Sequence, residues 1–290
     1  MDPILIGALG LGAMFVLIAL HVPIGVAMGI TGVASVGFMI GWEPALTLLG
    51  TEPSAKIEDE GLAVVALFLL MGAFATEAGV SADMYRLAYA MVGHFRGGLA
   101  MSTIGGCAGF GAICGSSIAT TATMAKIALP EMIDRKYKPT LASGCIAAGG
   151  TLGMLVPPSV VMIIYGILTE ESIIALFAAA IFPGAIATVL YCITIAIIVR
   201  LKPDSGPAGE RIPWKEKLSV LIASWRFLLI AILVSGGIYT GIFTITEAAS
   251  VGASLAFIFA IFNGMKMEGF LNCLSPTAAN TGMIFVIIMG

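Results

Sequence analysis

Two stretches place hydroxyls, glycines and prolines inside otherwise apolar sequence. Cys114-Gly115-Ser116-Ser117 separates the apolar runs 97–113 and 118–129, and Gly153-Met154-Leu155-Val156-Pro157-Pro158 breaks the run that begins at Leu141. The chemistry these residues offer is coordination of ions and solutes. Proline at 157 and 158 removes helical N–H donors, which frees carbonyls around Gly153 and Met154 to point at a cation. Ser116 and Ser117 offer hydroxyl oxygens, and a helix beginning at Ile118 offers unpaired N–H groups to a carboxylate. A cation and an anion can therefore share one site.

The elements that position these residues follow from length. A bilayer core needs about 20 helical residues, and neither 97–113 nor 118–129 reaches that comfortably. Short arms meeting at a Gly-Ser-Ser tip predict a re-entrant hairpin over 97–130. Irregular backbone at membrane depth survives only where protein buries it or it lines a wet cavity. Discontinuous helices of this kind carry the ion and solute sites of secondary transporters. A charged turn, 131–138, leads to a broken helix over 140–168 that ends at Glu170-Glu171. A long helix over 172–199 follows, with a kink expected at Pro183-Gly184.

Composition sets the class. The chain is 59% hydrophobic and 11% charged with a mean hydropathy of +1.06, against about 25% charged in soluble domains. An all-α integral membrane protein embedded in a lipid bilayer is expected. Apolar sequence begins at Ile4 with no charged leader or cleavage site, so no removable signal peptide is read and the first helix directs its own insertion. The balance of 14 Lys and Arg against 17 Asp and Glu argues against a nucleic-acid partner. The 5 cysteines form no CxxC pair and read as free thiols packed as small residues. His21 and His94 build no HExxH site, and no GxxxxGK[ST] loop is present for ATP hydrolysis.

Before the hairpin, runs 4–20 and 24–40 flank His21-Val22-Pro23 and read as a tight helix pair, with proline tolerated at a helix start. Residues 41–60 carry Glu43, Glu52, Glu58, Asp59 and Glu60 against Lys56, and read as an acidic periplasmic loop of a scaffold unit, 1–60. Residues 61–96 read as a spanning helix over 62–75 followed by an interfacial arm, 81–96, with Met84, Leu87, Ala88 and Met91 on its apolar face. Residues 97–199 form the transport unit, and the polar stretch 200–217 reads as a cytoplasmic linker. Beyond it, 227–245 spans, Thr246-Glu247 reads as the cap of the next helix, and the chain stops inside the apolar run 283–290. Residues 218–290 are thus expected to open a second repeat that is truncated here.

Charge supports one threading. With 41–60 outside, every Lys and Arg except Lys56 falls on the inner side, which puts the N-terminus outside and the hairpin mouth inside. Leu67-Phe68-Leu69-Leu70-Met71-Gly72 is echoed by Phe285-Val286-Ile287-Ile288-Met289-Gly290, each after a helix pair, and the pairs run in opposite directions. That is the pattern of an inverted repeat, although generic apolar similarity accounts for the echo equally well.

Each candidate also has a plainer reading. Gly105, Gly109, Gly111 and Gly115 serve close helix packing as readily as a tip. Thr120, Thr121 and Thr123 can bond to carbonyls of their own helix, and Lys126, just before Pro130, can snorkel to the surface. Glu247 fits a helix terminus better than a proton carrier, and His21 and His94 fit solvated helix ends. An intramembrane enzyme using Ser116 or Ser117 would need a base, which no GxSG motif, aspartate pair or buried histidine supplies, so no enzyme is read. A static membrane scaffold would not need a polar tip facing a helix break.

The tip Cys114-Gly115-Ser116-Ser117-Ile118-Ala119-Thr120, then Gly150-Thr151-Leu152-Gly153 and Val156-Pro157-Pro158-Ser159, resembles the large permease subunit of tripartite ATP-independent periplasmic (TRAP) transporters. Gly241-Ile242-Phe243-Thr244 and Thr246-Glu247-Ala248-Ala249 add to the likeness. The resemblance implies an inverted-repeat, elevator-type transporter in the bacterial inner membrane, with the second repeat incomplete here. It also implies sodium-coupled import of a small organic anion, such as a dicarboxylate or sialic acid, delivered by a periplasmic binding protein. A small four-helix membrane subunit is the implied partner, and Na+ is the coupling ion in place of any cofactor. The alternative is a sodium-dicarboxylate symporter that works without a binding protein.

In that family a sodium ion lies between the tip and the break. Carried onto this chain, its ligands would be Ser116 and the carbonyls of Gly153, Val156 and Pro158. Cys114 stands where the family often has serine. A thiol is a poor ligand for a hard cation, so Cys114 would contribute through its carbonyl. Ser117 and Thr120 are the implied substrate contacts.

Overall fold

The structure, a computed structural model, describes residues 3–57, 60–209 and 211–290. In chain order the helices are α1 (Pro3–Ala19), α2 (Ile24–Ile40), α3 (Trp42–Ile57), α4 (Glu60–Glu77), α5 (Val80–Val92), α6 (Gly98–Cys114), α7 (Ser117–Asp134) and α8 (Pro139–Gly150). They continue with α9 (Leu152–Leu155), α10 (Val160–Thr169), α11 (Ile173–Leu201), α12 (Trp214–Ala223), α13 (Trp225–Ala231), α14 (Gly237–Tyr239), α15 (Ile245–Phe262) and α16 (Met267–Met289). The fold is all-α, and among the described residues the only strand-like pairing is an isolated bridge between Arg96 and Ala208. Helices α11, α15 and α16 are long and apolar enough to cross a membrane singly. Three further spans arise if each bent pair counts as one: α4 with α5 at 70°, α8–α9 with α10 at 41°, and α12 with α13–α14 at 57°.

The chain divides into two compact units, residues 1–63 with 276–290, and residues 64–275. In the first, α1 turns into α2 at His21, whose φ is 65°. The stretch expected as an acidic loop is instead largely helical, as α3. Gly41 at φ 110° ends α2, and the Trp42 ring then packs edge-on against Phe38, with centroids 5.5 Å apart, to close the corner. Pro44 falls in the first turn, where its missing N–H is harmless. The polar composition is absorbed locally, since Thr47 Oγ1 donates to the Glu43 carbonyl at 2.9 Å and Thr51 Oγ1 to the Thr47 carbonyl at 3.0 Å. Glu58 and Asp59 lie outside the described residues.

In the second unit, α4 and α5 meet at an elbow on Gly79, φ 77°. Arg226 holds this elbow with one nitrogen on Asp83 at 2.8 Å and another on the Ala78 carbonyl at 2.9 Å. Asn263 donates to the Glu77 carbonyl at 3.2 Å. The arm is the helix expected, but it buries Val80, Tyr85, Ala88 and Ala90, while Met91 is exposed. Two residues of the expected apolar face, Met84 and Ala88, meet glycines of α6. A methyl on Gly105 would lie 3.3 Å from the Ala88 Cβ, and Met84 fills the space over Gly109.

Helices α6 and α7 form the hairpin, and α7 continues through Pro130 to Asp134, past the proline where the arm was expected to end. Helix α11 likewise continues through Pro183. The cap of α15 is Thr244 rather than Thr246. Its side chain accepts from the Glu247 N–H at 3.3 Å while Glu247 accepts from the Thr244 N–H at 2.8 Å, a reciprocal capping box.

The segment after α11, read as a linker, is strapped across the hairpin's mouth. Gly97 N–H donates to the Gly206 carbonyl, Gly209 N–H to the Gly93 carbonyl, and Lys138 N–H to the Ser205 carbonyl, at 3.2, 3.2 and 3.1 Å. Tyr137 completes the strap. Its hydroxyl donates to the Pro207 carbonyl at 2.8 Å and accepts from the Leu99 N–H at 3.2 Å.

Candidate functional site

The hairpin tip and the helix break touch. Gly115, in the left-handed conformation at φ 63°, ends α6, and its carbonyl accepts the Val160 N–H that opens α10, at 3.2 Å. A methyl on Gly115 would lie 3.1 Å from the Pro158 carbonyl oxygen. Below it, a methyl on Gly153 would lie 2.8 Å from the Ser116 carbonyl oxygen and 2.6 Å from Thr120 Oγ1. Gly111 faces Gly153, and Gly150 faces the Thr121 side chain and Ser117. Glycine is needed at these positions because two backbones approach within side-chain distance, so the packing and tip readings describe one feature.

Of the expected residues, Ser116, Gly153 and Pro158 are brought together. Ser116 is the N-cap of α7, its Oγ accepting from the Ala119 N–H at 3.4 Å, and its carbonyl accepts from the Thr120 N–H at 3.0 Å. One lone pair of the hydroxyl remains for another partner. The helical partner of the Gly153 carbonyl would be the amide of residue 157, which proline lacks. The Met154 carbonyl, expected to be freed likewise, is instead occupied by Ser159 Oγ at 2.6 Å. Ser159 was missed as a structural participant. Its signal was a hydroxyl directly after two prolines.

The remaining expected residues divide. The Cys114 side chain is buried against Gly72 of α4, which leaves only its backbone for any ligand. Val156 is half-buried with its side chain toward Gly184 of α11. Thr120 is fully buried, and its Oγ1 has no hydrogen-bond partner among the described residues. Thr121 does bond its own helix, donating to the Ser117 carbonyl at 2.8 Å. Ser117 is half-buried, Ile118 is 73% exposed, and Lys126 is exposed on the flank of α7.

The site's chemistry is oxygen donation. Among the described residues no group of three or more His, Cys, Asp or Glu could hold a metal ion. Carbonyl and hydroxyl oxygens without a nearby carboxylate suit a hard cation of low charge, and the partnerless Thr120 hydroxyl adds one more oxygen beside Gly153. At the start of α7 the first N–H groups have no intrahelical acceptor. With Ala119 and Thr120 already paired, those of Ser117 and Ile118 remain for an anion.

Comparison with known proteins agrees with this architecture. Residues 11–290 match the model of the family described as "Tripartite ATP-independent periplasmic transporter, DctM component". The C4-dicarboxylate TRAP transporter large permease protein DctM of Vibrio cholerae is 37% identical over 254 residues, covering 86% of this chain and 55% of that protein. The DctM of Pseudomonas aeruginosa is 37% identical over 262 residues, covering 86% and 61%. The ectoine TRAP transporter large permease protein TeaC of Halomonas elongata is 30% identical over 281 residues, covering 95% and 64%. The chain thus spans 55 to 64% of the length of these relatives. The chain belongs to the DctM-component family of tripartite ATP-independent periplasmic transporters.

Proposed function

We propose that the chain supplies part of the membrane path of a sodium-coupled importer for a small organic carboxylate, delivered by a periplasmic binding protein and assembled with a small membrane subunit. The observation that carries this reading is the meeting of two backbone interruptions, Gly115-Ser116 against Gly153–Pro158. Sodium sits among the Ser116 hydroxyl and the carbonyls of Gly153, Val156 and Pro158, with the Cys114 carbonyl as a further donor. The carboxylate faces the N–H groups at Ser117 and Ile118, with Ser117 as its hydroxyl contact; the Thr120 hydroxyl, expected on the substrate, is fully buried beside Gly153 and serves the cation instead. Opposite charges placed side by side each favour the other's binding, and that mutual preference is the coupling. The permease lies in the bacterial inner membrane with its N-terminus periplasmic and the hairpin mouth cytoplasmic, which the distribution of Lys and Arg supports. Residues 97–199 move as the transport unit, elevator-fashion, and residues 218–290 open a second repeat that mirrors the first.

The test is uptake into proteoliposomes by the full-length permease with its small subunit. Uptake that needs both a sodium gradient and the binding protein is expected. Uptake indifferent to sodium would overturn the coupling, and uptake indifferent to the binding protein would favour the two-component symporter. Ser116→Ala removes the hydroxyl and costs about 1 kcal/mol of capping, whereas Ser116→Gly removes the hydroxyl for only a few tenths. Both are expected to weaken sodium activation alike. An equal loss in Thr123→Ala would sink the site assignment.

A further inference from the structure

A cavity of about 470 Å³ lies between α8 and α11 and shares no residue with the hairpin tip or the helix break. Its long walls are mainly apolar, with Leu141 and Ala148 on one side, Ile195 and Ile198 on the other and Thr140 and Thr194 among them, and Lys138 and Lys202 line it as its only charged residues. Two backbone bonds hold both lysines on the same rim: Lys138 N–H to the Ser205 carbonyl at 3.1 Å, and Ser205 N–H to the Lys202 carbonyl at 2.9 Å. Among the described residues neither lysine is in an ion pair, and no carboxylate lines the cavity. Its floor is open at Gly144, where an added methyl would find no atom within 4 Å. Toward the helix break, Tyr191 closes the groove by pairing its hydroxyl with Thr151 at 3.1 Å.

We infer that this groove binds one anionic phospholipid, its phosphate on Lys138 and Lys202 and an acyl chain along α8. Charge complementarity sets the headgroup, because unpaired cations at one end of an apolar channel call for an anion that carries an apolar tail. Length sets the tail. The 12 residues of α8 run about 18 Å at 1.5 Å each, enough for most of one acyl chain. Free phosphate would leave the walls bare, and a neutral lipid would leave the lysines unpaired. The lipid's tail would end beside Thr151, two residues before Gly153 of the helix break.

Native mass spectrometry of the delipidated full-length permease with its small subunit, titrated with phosphatidylglycerol or phosphatidylcholine, tests this. Saturable binding that favours phosphatidylglycerol is expected. Each lysine near an anionic group contributes about fivefold in affinity, so Lys138→Gln with Lys202→Gln should weaken phosphatidylglycerol by about 25-fold. Lys215→Gln with Lys266→Gln, which neutralises exposed lysines outside the groove, should leave binding unchanged. Gly144→Leu should block the tail while keeping both charges. Equal affinity for the two lipids, an equal effect of the two lysine pairs, or undiminished binding in Gly144→Leu would each overturn the proposal.

Discussion

Ser159 Oγ occupies the place of the N–H that Pro158 lacks, donating to the Met154 carbonyl at 2.6 Å. The pairing matters because Ser159 is fully buried and the proline pair has removed the local amides that would otherwise satisfy this turn. The break is therefore selective. One carbonyl is tied down by a side chain while the Gly153 carbonyl, one residue earlier, keeps no helical partner.

Ser159→Ala should leave the Met154 carbonyl bare and cost about 1–3 kcal/mol, read as a lower unfolding temperature in detergent. Sodium activation should weaken as well, because a second untied carbonyl loosens the geometry of the first. Ser159→Thr keeps the hydroxyl and should restore much of both. A destabilisation that leaves sodium dependence untouched would show that the tie serves folding alone.

The glycines separate close approach from mere flexibility. At Gly153 an added methyl meets Thr120 Oγ1 at 2.6 Å and the Ser116 carbonyl at 2.8 Å, whereas at Gly144 it meets nothing within 4 Å. Gly153→Ala should therefore push tip and break apart and abolish sodium-driven uptake. Gly144→Ala should stabilise α8 by about 1 kcal/mol through helix propensity and leave uptake intact. Thermal unfolding and uptake measured on both variants check the contrast, and transport surviving in Gly153→Ala would contradict a site at this contact.

What was legible in the sequence and what was not follows from range. The tip at Gly115-Ser116 and the break at Pro157-Pro158 are local facts of backbone chemistry, a left-handed glycine and missing amides, so residue types alone betray them. Helix α3 falls where the acidic run of Glu43, Glu52, Glu58, Asp59 and Glu60 predicts a loop, yet its Thr47 and Thr51 hydroxyls satisfy themselves on carbonyls four residues back. The Thr244 cap is legible in the pattern Thr244-Ile245-Thr246-Glu247, where a threonine stands three residues before a glutamate, whereas Thr246 is too close to Glu247 to form a capping box. The strap at 205–209 leaves almost no trace, because all its bonds but the one from Tyr137 join backbone to backbone. Only the glycines at 93, 97, 206 and 209 hinted that chains would cross there.

At the α4–α5 elbow, the Arg226–Asp83 pair is only 24% and 13% exposed, and the same guanidinium holds the Ala78 carbonyl. Removing the arginine strands a largely buried carboxylate, so Arg226→Ala should cost about 3 kcal/mol, more than the median surface pair. Arg226→Ala with Asp83→Ala should cost less than the sum of the single changes. A double-mutant cycle on unfolding temperature measures this, and strict additivity would mean that the elbow is held by packing alone.

Tyr137 is where the strap can be titrated. It is 4% exposed, and burial pushes its phenol up to about 12, against an ordinary value of about 10. Since the folded state holds the proton more tightly than the unfolded one, the contribution of this residue is whole below pH 10. It declines as pH rises toward about 12. Tyr137→Phe removes the bonds to Leu99 and Pro207 and should lower stability by about 1–3 kcal/mol at neutral pH. The gap between wild type and variant should close from pH 10 upward, because the wild type alone loses a contribution there. Unfolding temperatures measured across pH 7 to 12 test both halves of this expectation, and a gap that stayed constant with pH would assign the strap's stability to its backbone bonds rather than to the phenol.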